Sequence, residues 1–197
     1  MSDLKSISSA ELRSFAIDVS EPFAEFLMAD RDEYFFKVTL LDVVRFAGHA
    51  CPAMIGAFLI SQRAVKELFP ETNVCVRGQV AIEIPGAVNQ GATGPISNVL
   101  SMVFGAWDQT GFGGLQGRFI RRGLLSYGVQ GISAGSLRFR NLVTGKAVDI
   151  KYDPSGVQSA ENAAAIPFQK VWRHKIASIL EHPNDYITCQ TVEARSN

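Results

Sequence analysis

The order of apolar patterns along the chain predicts an α+β fold: N-terminal helices, a buried central helix, a mixed or antiparallel sheet, and a C-terminal hairpin followed by a last helix. Two observations carry this prediction. From Pro52 to Phe69, apolar residues recur at spacings of three and four, and the first half of that run is apolar on every side, so the helix belongs inside the domain. Between 136 and 152 the period changes to two around a Thr144-Gly145 turn, the pattern of a hairpin. Helices come first, then strands, then a helix, without the strand and helix alternation of a doubly wound sheet.

Taken in order, residues 8 to 30 read as two helices, the first capped by Ser9 and the second restarted by Ser20 and Pro22. Residues 35–41 read as strand or loop, and 40–46 as one or two helical turns. The helix from Pro52 is stopped by Pro70. The β-branched segment 74–84 reads as one strand closed by Pro85-Gly86. Residues 86–117 are glycine-rich and irregular, with room for a short helix at 96–104; they form either a turn-rich connection or a binding loop. Residues 118–127 read as a strand. An alanine-rich linker at 155–165 leads to a helix striped by Phe168, Val171, Trp172, Ile176, Ile179 and Leu180 and ended by Pro183, and Cys189 then packs in a strand.

The chain has 197 residues, 47% of them hydrophobic, which is enough for one core and argues against disorder. Nineteen Lys plus Arg balance nineteen Asp plus Glu. Without a net field, neither nucleic acid nor an anionic membrane is a predicted partner. The longest apolar stretch, 50–60, is about half of the roughly 20 residues that cross a bilayer. The N-terminal residues mix charges among apolar positions, unlike a secretory signal, so the predicted address is cytoplasmic. Three cysteines are an odd number and widely spread, which suits thiols better than a disulfide framework. Neither a P-loop, a dinucleotide fingerprint, a zincin helix nor a nucleophile elbow is found.

One segment carries chemistry. In Gly48-His49-Ala50-Cys51-Pro52 an imidazole and a thiol stand two residues apart just before a helix that begins with Pro. Both are ligands that zinc prefers, and Cys51 falls at the helix N-cap, where unpaired N–H groups favour an anion. The competing reading makes Cys51 a small core residue and His49 a hydrogen-bonded structural one. Two ligands are fewer than the three or four of a zinc site, so others must come from elsewhere in the chain, from water or from a second copy. Haem is the alternative cofactor, since Cys-Pro beside His also occurs where a thiolate or imidazole serves as axial ligand, with Phe46, Phe104, Trp107 and Phe112 available to line an apolar slot. Trp107 also offers an aromatic platform in the glycine-rich loop.

The run from Phe46 through His49, Cys51 and Pro52 to Gly56 resembles the Gly-His-x-Cys-Pro-Gly motif of the FmdE family, which takes its name from formylmethanofuran dehydrogenase. The strand ending at Glu83 and the stretch Gln90-Gly-Ala-Thr93-Gly94 are similar to the strand and the Gln-x-x-Thr-Gly stretch of that family, and the resemblance covers 40–155. It implies a fold shared with the catalytic domain of glyceraldehyde-3-phosphate dehydrogenase, a homodimer, and a metal, usually zinc, near the His-x-Cys motif. It further implies an accessory or metal-dependent role in anaerobic one-carbon redox metabolism, without implying dehydrogenase activity.

On this reading the whole chain, 1–197, is one domain: a helical extension at 1–39, the family core at 40–155, and a linker and helix at 156–197. His49 and Cys51 are the metal ligands, and Gln90, Thr93 and Trp107 are candidates to bind a cofactor. The sequence departs from the family where further cysteines and an Asp are usual: Ile84, Ala87 and Pro95 stand there, and Ala53 replaces the last glycine of the motif. Glu83, a carboxylate at the end of an apolar strand, is the nearest substitute as a third ligand, or as a general base if it is not one; otherwise it reaches solvent at the strand edge. No catalytic residue is assigned, and whether the protein is an enzyme is left open.

Overall fold

The computed structural model describes residues 5–157 and 166–192, and it has the predicted α+β architecture. The elements are α1 (Ser9–Ser14), β1 (Ala16–Ser20), α2 (Pro22–Phe26), α3 (Arg31–Tyr34), β2 (Phe35–Thr39), α4 (Leu40–Ala47), α5 (Pro52–Leu68), β3 (Val74–Val76), β4 (Val80–Ile84), α6 (Thr93–Phe104), β5 (Leu125–Tyr127), β6 (Ser136–Asn141), β7 (Ala147–Tyr152), α7 (Phe168–Glu181) and β8 (Ile187–Val192). The strands form a three-stranded sheet in the order β2-β1-β3 and a five-stranded sheet in the order β5-β4-β6-β7-β8.

Helix α5 is the centre of the molecule, as its apolar first half predicts: Ile55, Phe58 and Ala64 have no exposed surface. Its neighbours in the core come from both sheets, from α6 through Val99, Leu100 and Val103, and from α7 through Ile176 and Ile179. The hairpin β6/β7 forms as predicted, antiparallel with Phe139 opposite Val148, and Gly145 turns it at φ 75°. Helix α7 and strand β8 also match the expected pattern.

Four expectations are corrected. Residues 16–20 are a strand and not part of a helix: Ile17 and Val19 alternate inward with period two, and β-branched residues suit that geometry better than a helix. Within the predicted extension at 1–39, the described residues 5–39 therefore form no separate helical unit, because β1 pairs with β2 on one side and with β3, inside the predicted core, on the other. The single strand predicted at 74–84 is two strands in different sheets, separated at Gly78, whose φ of +80° suits only glycine comfortably. Of the strand predicted at 118–127, only the last three residues form a strand, while Arg118 makes an isolated antiparallel bridge with Leu115. The part of the predicted linker at 158–165 lies outside the described residues.

Candidate functional site

Strand directions decide which predicted residues share an end of the molecule. Helix α5 runs antiparallel to β7. Near its C-terminus Asn141 Nδ2 donates to Leu68 O (3.1 Å) and Lys146 Nζ to Glu67 O (2.6 Å), while Gly56 in its second turn lies under the ring of Tyr152, the last residue of β7. Strand β6 is antiparallel to β7, and β4 to β6, so β4 ends on the same side as Tyr152. The turn after β4 and the N-terminus of α6 therefore lie at the end where α5 begins. His49, Cys51, Gln90 and Thr93 are at this end of the fold.

The His-x-Cys segment is built as a tight link between two helices. Gly48 ends α4 in the left-handed region, φ 76°, and its N–H bonds Arg45 O. His49 is exposed, and its Nδ1 lies 3.0 Å from Ala47 O. With the proton on Nδ1, that bond fixes the ring and leaves Nε2 free to accept or to ligate. The carbonyl of Ala50 accepts from Trp172 Nε1 of α7 (2.8 Å), which ties the link to a helix distant in the chain. Cys51 is the N-cap of α5, with extended backbone; its carbonyl accepts from Ile55 N (3.0 Å), but its half-buried side chain makes no capping bond.

Tyr152 stands out in the sequence only as an apolar strand residue. Its ring covers Gly56 so closely that a Cβ there would overlap it, and its buried hydroxyl has no hydrogen-bond partner among the described residues. Burial, followed by the neighbouring Tyr186 and Cys51, pushes its pKa above the ordinary tyrosine value. The available signal is a hydroxyl-bearing residue in the inward register of Val148 and Ile150, a polar tip at a core position.

The other predicted residues are dispersed. Glu83 lies on the face of β4 opposite to the buried Ile82 and Ile84, paired with Arg138 (3.8 Å), which itself forms a two-bonded pair with Asp149 at 2.7 and 2.8 Å. A cross-strand arginine thus partners this carboxylate, and the role as third ligand beside His49 and Cys51 is not supported. Gln90 is exposed and accepts from Ala87 N (3.3 Å), closing the turn before α6, and Thr93 opens that helix beside Gly86. Trp107 lies beyond the C-terminus of α6, at the opposite end, under the guanidinium of Arg77 (5.8 Å). The four aromatics proposed for a haem slot do not share one wall: Phe104 packs on Phe139 in the core, Phe112 stacks on Phe23, Trp107 is with Arg77, and Phe46 is exposed.

At that opposite end is a cluster that sequence reasoning missed. Arg121, with 7% of its side chain exposed, and Arg77 both pair with Glu21, the residue that caps α2. The cluster fixes the start of α2 to the glycine-rich segment, with Trp107 N bonded to Arg121 O (3.0 Å). No local pattern announces it, because its members are separated by 56 and 44 positions in the chain.

A scan of the chain against protein-family models finds no match, and a search of the curated proteins finds no similar sequence. Among the described residues, no group of three His, Cys, Asp or Glu side chains is gathered to hold a metal ion. The donors of His49 and Cys51 suit zinc in kind, but the set is incomplete for a closed structural site.

Proposed function

We propose that this chain is a cytoplasmic metal-binding protein of the FmdE type, in which His49 and Cys51 offer an imidazole nitrogen and a thiolate to zinc, in an accessory role in one-carbon redox metabolism rather than a catalytic one. The observation that carries the reading is the pairing of an N-cap cysteine whose side chain makes no capping bond with a histidine whose Nδ1 is anchored on Ala47 O. An outer hydrogen bond from the non-ligating ring nitrogen to a carbonyl is the usual way a metal-binding histidine is oriented. The three cysteines are all free thiols, which agrees with a reducing compartment. None of the described helices is long and apolar enough to cross a membrane.

Zinc bound by two protein groups would supply Lewis acidity and keep positions for water or for donors from another molecule. Open positions of this kind fit a site that hands on or accepts an ion. The accessory role is favoured over catalysis because Glu83, the one carboxylate predicted as a base, is engaged by Arg138 on the other face of its strand.

Metal analysis of protein purified without a nickel column tests this. The expected result is near-stoichiometric zinc, no Soret band in the visible spectrum, and loss of the metal in Cys51→Ser. Full retention of zinc in Cys51→Ser would reject the ligand assignment, and a Soret band would replace zinc with haem. A screen for hydrolysis of esters and amides by the zinc-loaded protein is expected to be negative.

A further inference from the structure

Away from the His-x-Cys end, the glycine-rich segment folds back on α2 through an aromatic cluster. The ring of Phe23 stacks on Phe112 (5.2 Å between centroids) and meets Phe119 (5.1 Å), Phe119 meets Phe26 (5.1 Å), and the Arg118 guanidinium lies over Phe26 and Phe119 at 5.1 and 4.7 Å. The outer side of this cluster is left open: Phe26, Leu27 and Met28 on one bank and Phe112, Leu115 and Ile120 on the other are each more than 40% exposed. Large apolar side chains scattered singly need no explanation, but a contiguous set of six marks a contact surface.

Backbone conformation points the same way. Of the four non-glycine residues with positive φ among the described residues, Met28 (59°), Gln116 (51°) and Phe119 (59°) belong to these two banks. Met28 is the sharpest case, because it is 92% exposed and in the left-handed region, where Gly, Asn or Asp would be favoured on both counts. A residue that breaks two local rules for an isolated chain finds compensation where something covers it.

The charges name the occupant. The bank at 22–34 carries four exposed carboxylates, Glu25, Asp30, Asp32 and Glu33, against Arg31 alone, while the bank at 112–124 exposes two arginines, Arg118 and Arg122, and no carboxylate, its third arginine, Arg121, being buried against Glu21. None of those four carboxylates, nor Arg118 or Arg122, forms an ion pair among the described residues. A twofold axis through the apolar strip would lay the arginine bank of one molecule over the carboxylate bank of the other, twice, which is the self-complementarity that an isologous contact requires. An anionic lipid surface fits worse, since four carboxylates rim the patch. We propose that this surface is the contact between two copies of the chain, centred on Met28. The proposal is independent of the metal reading, because none of its residues is at the His-x-Cys end.

Analytical ultracentrifugation of the full chain across the micromolar range, with EDTA present to exclude metal-bridged pairs, is the test. The wild-type chain is expected to be a dimer, and Met28→Asp a monomer with unchanged circular dichroism, since aspartate tolerates the left-handed backbone. The double variants Arg118→Glu/Arg122→Glu and Glu25→Lys/Glu33→Lys are each expected to be monomeric alone and to form a heterodimer when mixed, because swapping both banks restores complementarity. A wild-type chain that is monomeric throughout, a dimer that EDTA dissociates, or a dimer that survives both Met28→Asp and the bank swaps would overturn the proposal.

Discussion

The two ends of the five-stranded sheet differ in how they hold their polar groups. At the end where α6 finishes, charge is buried and paired with charge: Glu21 is shared by Arg77 and Arg121, with Arg77 Nε alone left without a partner among the described residues, and the glycines nearby leave room for the guanidinium groups, so that a Cβ at Gly78 would collide with Arg121. At the end where α5 begins lie a thiol without a capping bond, an exposed imidazole and a buried hydroxyl without a partner among the described residues. A group left unsatisfied costs stability unless something else uses it. The difference separates an end whose charged groups neutralise one another from one whose thiol, imidazole and hydroxyl have no charged partner among the described residues, and it supports placing ligand binding at the second.

The largest effect that would sharpen this comparison is at the tied end. Arg121→Ala leaves Glu21 in a mostly buried position with only Arg77, at 3.2 Å, to oppose its charge. Removing one partner of a buried pair is costly because the remaining charge stays desolvated, and a loss of about 3 kcal/mol is expected. Denaturant unfolding of the variant measures it. Metal content should be unaffected, since Arg121 is at the far end; a variant of wild-type stability would show that the cluster does not hold the fold, and the contrast between the two ends would fail.

Cys75 provides a second test at the same end, through pH. It has no exposed surface, and burial, only partly offset by Arg77 and Arg121, pushes its pKa up to about 12 from an ordinary 9.0. The folded chain therefore keeps a proton that the unfolded chain gives up, and stability falls as pH rises from about 9 towards 12, by about 1.4 kcal/mol per pH unit for this one group. Cys75→Ala should flatten that part of the stability profile measured by urea unfolding between neutral and alkaline pH. An unchanged slope would mean that other groups carry the alkaline loss.

Whether a feature is legible in the sequence depends on whether it is local. Helix α5, the hairpin and α7 are written in periodic spacing and in single Pro and Gly residues, and the structure has them where that spacing puts them. The His-x-Cys link is legible for the same reason, since Gly48, His49, Cys51 and Pro52 are neighbours and the cap geometry follows from their order. Strand β1 is not legible, because Ala16 to Ser20 is short and the helix of Ser9 to Ser14 runs almost directly into it; the deciding influence is pairing with β2 and β3, which no local window contains. Glu83 reads as a candidate ligand because its partner Arg138 comes 55 positions later in the chain, and only the register of β4 against β6 brings the two together.

The smallest expected effect tests the open end directly. Tyr152→Phe removes a buried hydroxyl that has no partner among the described residues and keeps the ring that covers Gly56. In the metal-free chain the change should raise stability by about 1 kcal/mol, because the desolvation cost of the hydroxyl disappears and no hydrogen bond is lost. The same substitution made on a satisfied tyrosine lowers stability by a similar amount, so the sign decides. A rise in stability accompanied by weaker zinc binding, read by competition with a chromogenic chelator, would make the hydroxyl a donor held in reserve for whatever Cys51 binds. A fall in the stability of the metal-free chain would instead show that the hydroxyl is already satisfied, and the contrast between a tied end and an open one would then rest on His49 and Cys51 alone.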